Sequence, residues 1–153
     1  MSNITTQAFA LGVVAGMRSM TAPALVTHQL SRDRRPKLGR LNFMRSKAAA
    51  TAFKVAAAGE LIGDKLPSAP PRTQPGPLVG RALSGALCGA ALARSRRESA
   101  VAGAVLGAVG GLVGTYAFYG LRGTLTKAGL PDLVVALGED ALAVGGGRAI
   151  LER

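Results

Sequence analysis

Several charged side chains of this 153-residue chain lie inside long apolar stretches, where they could pair with one another. At the centre of a lipid bilayer an arginine or a carboxylate costs about 2.5–3.5 kcal/mol on insertion scales, so it is expected to have a counter-charge. An arginine that faces two or three carboxylates would be neutralised and could bind an ion or a small solute. The predicted polar cluster, a candidate substrate or ion site, consists of Arg18, Glu60, Asp64, Glu139 and Asp140.

Two other interpretations of these charges stay open. In the first, the cluster has a purely structural role: it holds the helices together and binds no ligand. Alternatively, the segments that carry Glu60 and Glu139 could be too short to cross a bilayer, which would leave the charges in water.

Metal-dependent and nucleophilic chemistry is disfavoured by the composition. The chain has one histidine, His28, and one cysteine, Cys88, so a histidine-rich metal site or a serine–histidine hydrolase is poorly supported. Cys88 stands in an apolar stretch and is predicted to be a small buried packing residue. We predict no catalytic residue, no metal site and no cofactor, and rank an enzyme behind the two functions given below.

The elements that position the charged residues are predicted to be membrane helices. No acidic or basic side chain occurs from Ser99 to Leu121, and a helix of these 23 residues is about 34 Å long, enough to cross the ~30 Å core of a bilayer. The prediction is an all-α integral-membrane bundle, one domain over 1–153, in which some segments could be broken or re-entrant helices. Its five apolar segments are roughly 4–30, 48–63, 78–93, 99–121 and 133–151.

The distribution of the 19 lysines and arginines predicts an orientation. If each of the five segments crosses the membrane, successive loops lie on alternate sides. The side that contains the basic loop, 31–47, then has twelve cations, and the side that contains the proline-rich loop, 64–77, has five. Because cytoplasmic loops are enriched in lysine and arginine, we predict an outer amino terminus and a cytoplasmic carboxyl terminus. The predicted contacts with anionic lipid head groups are Arg32, Arg34, Arg35, Lys37 and Arg40, and nucleic acid is disfavoured as their partner.

Glycine is unusually frequent: it accounts for 21 of the 153 residues, about twice its typical share of about 7%. Pairs four residues apart allow helix backbones to approach closely, either within the chain or between copies in a homo-oligomer. The spaced glycines are Gly12 and Gly16, Gly85 and Gly89, and the series Gly103, Gly107, Gly110, Gly111 and Gly114.

A short internal similarity suggests inverted repeats. Residues 16–21, GMRSMT, resemble residues 120–125, GLRGTL, and each copy follows an apolar helix. Three crossings would separate the two copies, so the halves would face opposite ways, as in many transporters. Pro23 is expected to break the first helix near Arg18.

The motifs GMRSMTAP (16–23), GELIGDKLP (59–67), PPRT (70–73) and SGALCGA (84–90) occur in an order that resembles the uncharacterised bacterial membrane family called domain of unknown function 4126. The resemblance covers most of the chain, although the arginine-rich insertion before the second segment departs from it. It implies a small multi-pass protein of the bacterial inner membrane with no assigned activity. The positions on its motifs include Arg18, Glu60, Asp64 and Arg72.

The sequence therefore favours transport or channel-like passage of an ion or small solute through the polar cluster. The alternative is a non-catalytic membrane scaffold or lipid-associating oligomer.

Overall fold

A computed structural model of the chain describes residues 3–32, 38–63 and 74–152, which form helices and no strand. The predicted all-α class is confirmed. Asp64, Arg34, Arg35, Lys37 and Arg72 lie outside the described residues, as does most of the proline-rich loop. The helices are α1 (Asn3–Met17), α2 (Thr21–Arg32), α3 (Lys47–Gly63), α4 (Pro75–Ser95), α5 (Ala100–Lys127) and α6 (Asp132–Leu151), with a 3-10 helix (Gly39–Arg45) before α3.

Two of these helices, α4 and α5, are long and apolar enough to cross a membrane, and α1 is apolar but shorter. At 28 residues α5 is about 42 Å long. Its uncovered face carries large apolar side chains at helical spacing, among them Val101, Val105 and Val109. The five-segment membrane bundle is therefore supported for two helices.

Helices α1, α4 and α5 are packed through glycine. A Cβ atom on Gly107 would overlap the carbonyl oxygen of Gly85, and one on Gly12 would overlap the carbonyl oxygen of Gly107. Gly16 lies against Gly111 in the same way, so α1 and α5 run parallel while α4 runs antiparallel to both. The predicted close approach thus occurs within the chain.

The first apolar segment is a hairpin and not one crossing, and its interruption lies where the sequence predicts a broken helix. In a continuous helix Gln7 and Gln29 would be about 33 Å apart. Instead, Nε2 of Gln7 donates to the carbonyl of Ile150 (3.1 Å) and Nε2 of Gln29 donates to the carbonyl of Leu151 (3.0 Å). Helix α1 therefore begins, and α2 and α6 end, at one end of the molecule, which we call the basal end.

The hairpin overturns the predicted arrangement of the termini. Residue 7 touches residue 150, so the described ends of the chain lie together at the basal end and not on opposite sides. The turn between α4 and α5 lies there too, since Gly89 packs against Gly103. The α5–α6 turn, residues 128–131, forms the opposite, distal end.

The inverted-repeat prediction is also wrong. Because α1 and α5 run parallel, the two similar motifs do not face opposite ways. The second copy continues inside α5 without a break, and a Cβ on Gly120 or Gly123 would meet nothing within 4 Å.

Proline positions explain two smaller differences from the prediction. Pro23 lies in the first turn of α2, and Pro75 and Pro77 lie in the first turn of α4. A first-turn N–H has no intrahelical acceptor, so proline costs nothing there. The interruption between α1 and α2 lies at residues 18–20 and therefore precedes Pro23. The loop that was predicted to extend to residue 77 ends where α4 begins, at Pro75.

Candidate functional site

The break between α1 and α2, residues 18–20, forms a hairpin tip inside the bundle. Gly16, just before the tip, packs against Gly111 and the backbone of Thr115. These residues lie near the middle of α5, so the tip reaches about half the height of the bundle. Non-helical backbone at such a depth must have its polar groups satisfied by the surrounding protein or by water.

Side chains from α4 and α5 donate hydrogen bonds to the backbone carbonyl groups at the end of α1 and in the tip. The carbonyl oxygen of Gly16 accepts from Nη1 of Arg81 (2.8 Å) and from Oγ1 of Thr115 (3.3 Å). The carbonyl oxygen of Ser19 accepts from Oγ of Ser84. A positive guanidinium at a helix carboxyl end also compensates the partial negative charge there.

Glu60 closes the other half of the tip, the start of α2. Its Oε1 accepts from the backbone N–H and the hydroxyl of Ser19, both at 2.8 Å, and its Oε2 accepts from the N–H of Met20 at 2.7 Å. A carboxylate is favoured at this position because unsatisfied N–H groups give a helix start a partial positive charge. Glu60 was predicted to neutralise Arg18, whereas its carboxylate binds the backbone of the tip.

Arg18 and Asp140 come together as predicted. The arginine is fully buried, and its Nη2 lies 2.6 Å from Oδ1 of Asp140, whose side chain is 14% exposed. An arginine enclosed in this way requires a counter-charge, because a buried unpaired ion costs several kcal/mol. Asp140 supplies that charge from α6.

Glu139 belongs to a separate group nearer the distal end. It is 3% exposed, and its Oε2 lies 3.6 Å from Nη1 of Arg122. The same arginine binds Asp132 through two hydrogen bonds, Nε to Oδ1 at 2.8 Å and Nη2 to Oδ2 at 2.6 Å. Consecutive helical residues point about 100° apart, which is why Glu139 and Asp140 face different arginines.

The cavities lined by described residues include three that lie between helices. One, of about 410 Å³, lies between α2 and α6 at the basal end, and another, of about 230 Å³, lies between α5 and α6 and includes Glu139 in its wall. A third, of about 50 Å³, lies between the start of α1 and the α4–α5 turn. Neither Arg18 nor Glu60 lines any of these three.

Sequence reasoning missed three residues of the site, namely Arg81, Ser84 and Thr115. Arg81 was not included in the predicted polar cluster, but it is 4% exposed and reaches into the bundle. It carried the same signal as Arg18, a charge within an apolar segment. Ser84 and Thr115 carried none, because hydroxyl groups in membrane helices commonly bond their own helix and do so without a sequence signature.

Cys88 is placed as predicted. Cys88 is buried in the hydrophobic core as a free thiol. His28 lies near the basal end, where its Nδ1 is 2.9 Å from Nζ of Lys54 and accepts from it. No three histidine, cysteine or acidic residues are grouped as metal ligands within the described ranges.

No protein-family model, curated protein or solved structure matches the chain. The resemblance to domain of unknown function 4126 stays a prediction.

Proposed function

We propose that the chain is a multi-pass protein of the bacterial inner membrane, with helices α3 to α6 crossing and the α1–α2 hairpin entering from the basal side. The length of α4 and α5 and the apolar face of α5 support this placement. The cations support a cytoplasmic basal end. Those described at that end are Arg32, Arg40, Arg45, Lys47, Arg94, Arg96, Arg97 and Arg148, against Arg122 and Lys127 near the distal end.

This orientation is tested with single cysteines in a Cys88→Ala background. Thr6→Cys, Glu98→Cys and Glu152→Cys lie near the basal end, and Ala128→Cys lies in the distal turn. A membrane-impermeant maleimide added to intact spheroplasts is expected to label Ala128→Cys alone, and the other three only after permeabilisation. Labelling of Thr6→Cys from outside would restore the orientation predicted from the sequence and contradict ours.

Within this placement we propose that the hairpin tip serves the passage of an ion or a small solute. The observation that carries the proposal is the interruption of a helix at half the height of the bundle, next to the buried Arg18–Asp140 pair. Ionisable side chains and interrupted helices at membrane depth are typical of substrate and ion pathways.

The position of Glu60 suggests how the tip would open. Helix α3 packs mainly against α2 and the 3-10 helix, at the edge of the bundle. The Glu60 carboxylate occupies two N–H groups and one hydroxyl of the tip. A shift of α3 away from α2 would release these donors beside Arg18, where an anion would meet the same hydrogen bonds that Glu60 now accepts.

The test is flux through liposomes that contain the purified protein, measured separately for protons, potassium and chloride. We expect at least one of the three to pass. Glu60→Gln should raise that flux about tenfold, because it weakens charge-assisted hydrogen bonds that close the tip. Glu98→Gln, an equal change of charge in the exposed α4–α5 turn, should leave it unchanged.

The alternative is a non-catalytic scaffold or lipid-associating oligomer, and the complete burial of Arg18 favours it. In that case the bonds at the tip only hold the hairpin in place. Absence of flux for all three ions, or an equal effect of Glu60→Gln and Glu98→Gln, would contradict passage and favour the scaffold.

A further inference from the structure

The largest of the three cavities lies apart from the hairpin tip, between α2 and α6 at the basal end, and we call it the α2–α6 cleft. Its volume of about 410 Å³ is within the range of small-molecule sites, about 300–1,000 Å³. The cleft has a wall of aliphatic side chains and a rim of polar ones. Its lining consists of Leu25, Val144 and Leu151 on the apolar side and His28, Gln29, Arg32, Arg148 and Glu152 on the polar side.

The rim of the cleft is positively charged. Arg32 and Arg148 have no acidic partner within the described ranges, and Glu152 is the one carboxylate in the lining. Burial, followed by the charges of Lys54, Arg32 and Arg148, lowers the pKa of His28. A neutral His28 that accepts from Lys54 at Nδ1 keeps its Nε2–H as a donor.

Gln29, which also lines the cleft, has an unused acceptor atom. Nε2 of Gln29 donates to the carbonyl of Leu151, which fixes the orientation of the amide. Its Oε1 is buried and has no hydrogen-bond partner in the described part of the chain. A buried acceptor without a donor costs about 1–3 kcal/mol, so this atom favours a ligand that brings a hydroxyl or ammonium group.

We infer that the α2–α6 cleft binds the head group of an anionic glycerophospholipid whose head carries a hydroxyl, such as phosphatidylglycerol. The phosphodiester lies between Arg32 and Arg148, and the start of the acyl chains follows Leu25 and Val144. The hydroxyl donates to Oε1 of Gln29, which the side chains around it must first expose, because this atom has no accessible surface in the unliganded cleft. Basic pockets between helices at the cytoplasmic surface are suited to such lipids. The inference rests on the membrane placement proposed above and is independent of flux through the tip.

The experiment counts lipids bound to the detergent-purified protein by native mass spectrometry. Phosphatidylglycerol is titrated against three other ligands: phosphatidylcholine, phosphatidylmethanol, which has the same charge but no head-group hydroxyl, and glycerol phosphate without acyl chains. We expect phosphatidylglycerol to bind at least about fivefold more tightly than phosphatidylmethanol, and glycerol phosphate to bind weakly. Tight binding of glycerol phosphate would instead assign the site to a free phosphate compound. If phosphatidylcholine bound as tightly as phosphatidylglycerol, the cations of the rim would not contribute to binding.

Matched variants locate the site. The double variant with Arg32→Gln and Arg148→Gln should bind phosphatidylglycerol about tenfold more weakly, or weaker still. The pair Arg40→Gln and Arg94→Gln removes two exposed charges outside the cleft lining, near the same end, and should have little effect.

Val144→Trp provides a test that leaves the charge unchanged, because it fills the cleft from its apolar wall and should also reduce binding. Equal losses in the two arginine pairs, or undiminished binding by Val144→Trp, would overturn the inference and leave only a diffuse attraction of lipid to the basal end.

Discussion

Replacing Gly107 with alanine is expected to cost about 3 kcal/mol of unfolding free energy, at the upper end of the usual cost of overpacking. The added methyl group would meet backbone, the carbonyl of Gly85, and Gly12 packs on the same turn from α1. A flexible side chain could move away, but a helix backbone can retreat only if the whole helix shifts. The change should therefore separate α4 from α5 and be visible as a large loss of thermal stability in detergent micelles.

The matched control for this prediction is Gly120→Ala in the same helix. A Cβ there meets nothing within 4 Å, so the substitution should stabilise α5 by about 0.5–1 kcal/mol through helix propensity alone. If Gly107→Ala were as well tolerated as Gly120→Ala, the close packing of α1, α4 and α5 described above would be incorrect.

The second large effect is expected from Asp140→Asn, which should destabilise the protein by about 3 kcal/mol. The substitution keeps the shape of the side chain but removes the negative charge 2.6 Å from the buried guanidinium of Arg18. Removing one partner of a buried ion pair typically costs about 3–5 kcal/mol, because the other charge is left enclosed. Chemical unfolding in mixed micelles measures the loss.

Asp132→Asn is the control for Asp140→Asn, because it makes the same chemical change in the same helix at an equally short ion pair. The side chain of Asp132 is 60% exposed, so its pair with Arg122 is screened by solvent. We expect a cost below about 1 kcal/mol, including the loss of a favourable charge in the first turn of α6. Equal costs for the two variants would show that Arg18 is not enclosed.

Helix positions could be predicted closely from the sequence, whereas their directions could not. Runs of apolar residues placed the ends of α3 to α6 to within three residues, except that α5 continues six residues past the predicted end, because hydrophobic length and periodicity are local properties. The path of the first segment depends on a reversal at Arg18, and the residues that make the reversal possible, Arg81 and Thr115, are distant in sequence. Counting segments therefore put residues 7 and 150 at opposite ends of the bundle, whereas they are in contact.

The candidate site shows the same division. The expectation that charges in apolar stretches would pair was met for Arg18 and Asp140. It failed for Glu60, whose partners are backbone N–H groups, because the sequence does not indicate that a helix starts at that depth. The spacing of glycines predicted close helix contact, but which helices meet is set by the three-dimensional path.

The satisfaction of the hairpin tip by distant residues has a consequence for biogenesis. Gly16 leaves the ribosome 65 residues before Arg81 and 99 residues before Thr115, the two side chains that hydrogen-bond its carbonyl oxygen. Until α4 and α5 have been synthesised, a tip in lipid would expose polar backbone at a cost of several kcal/mol. In the membrane placement proposed above, helices α1 and α2 would thus wait at the membrane surface and enter last, into a groove formed by the later helices.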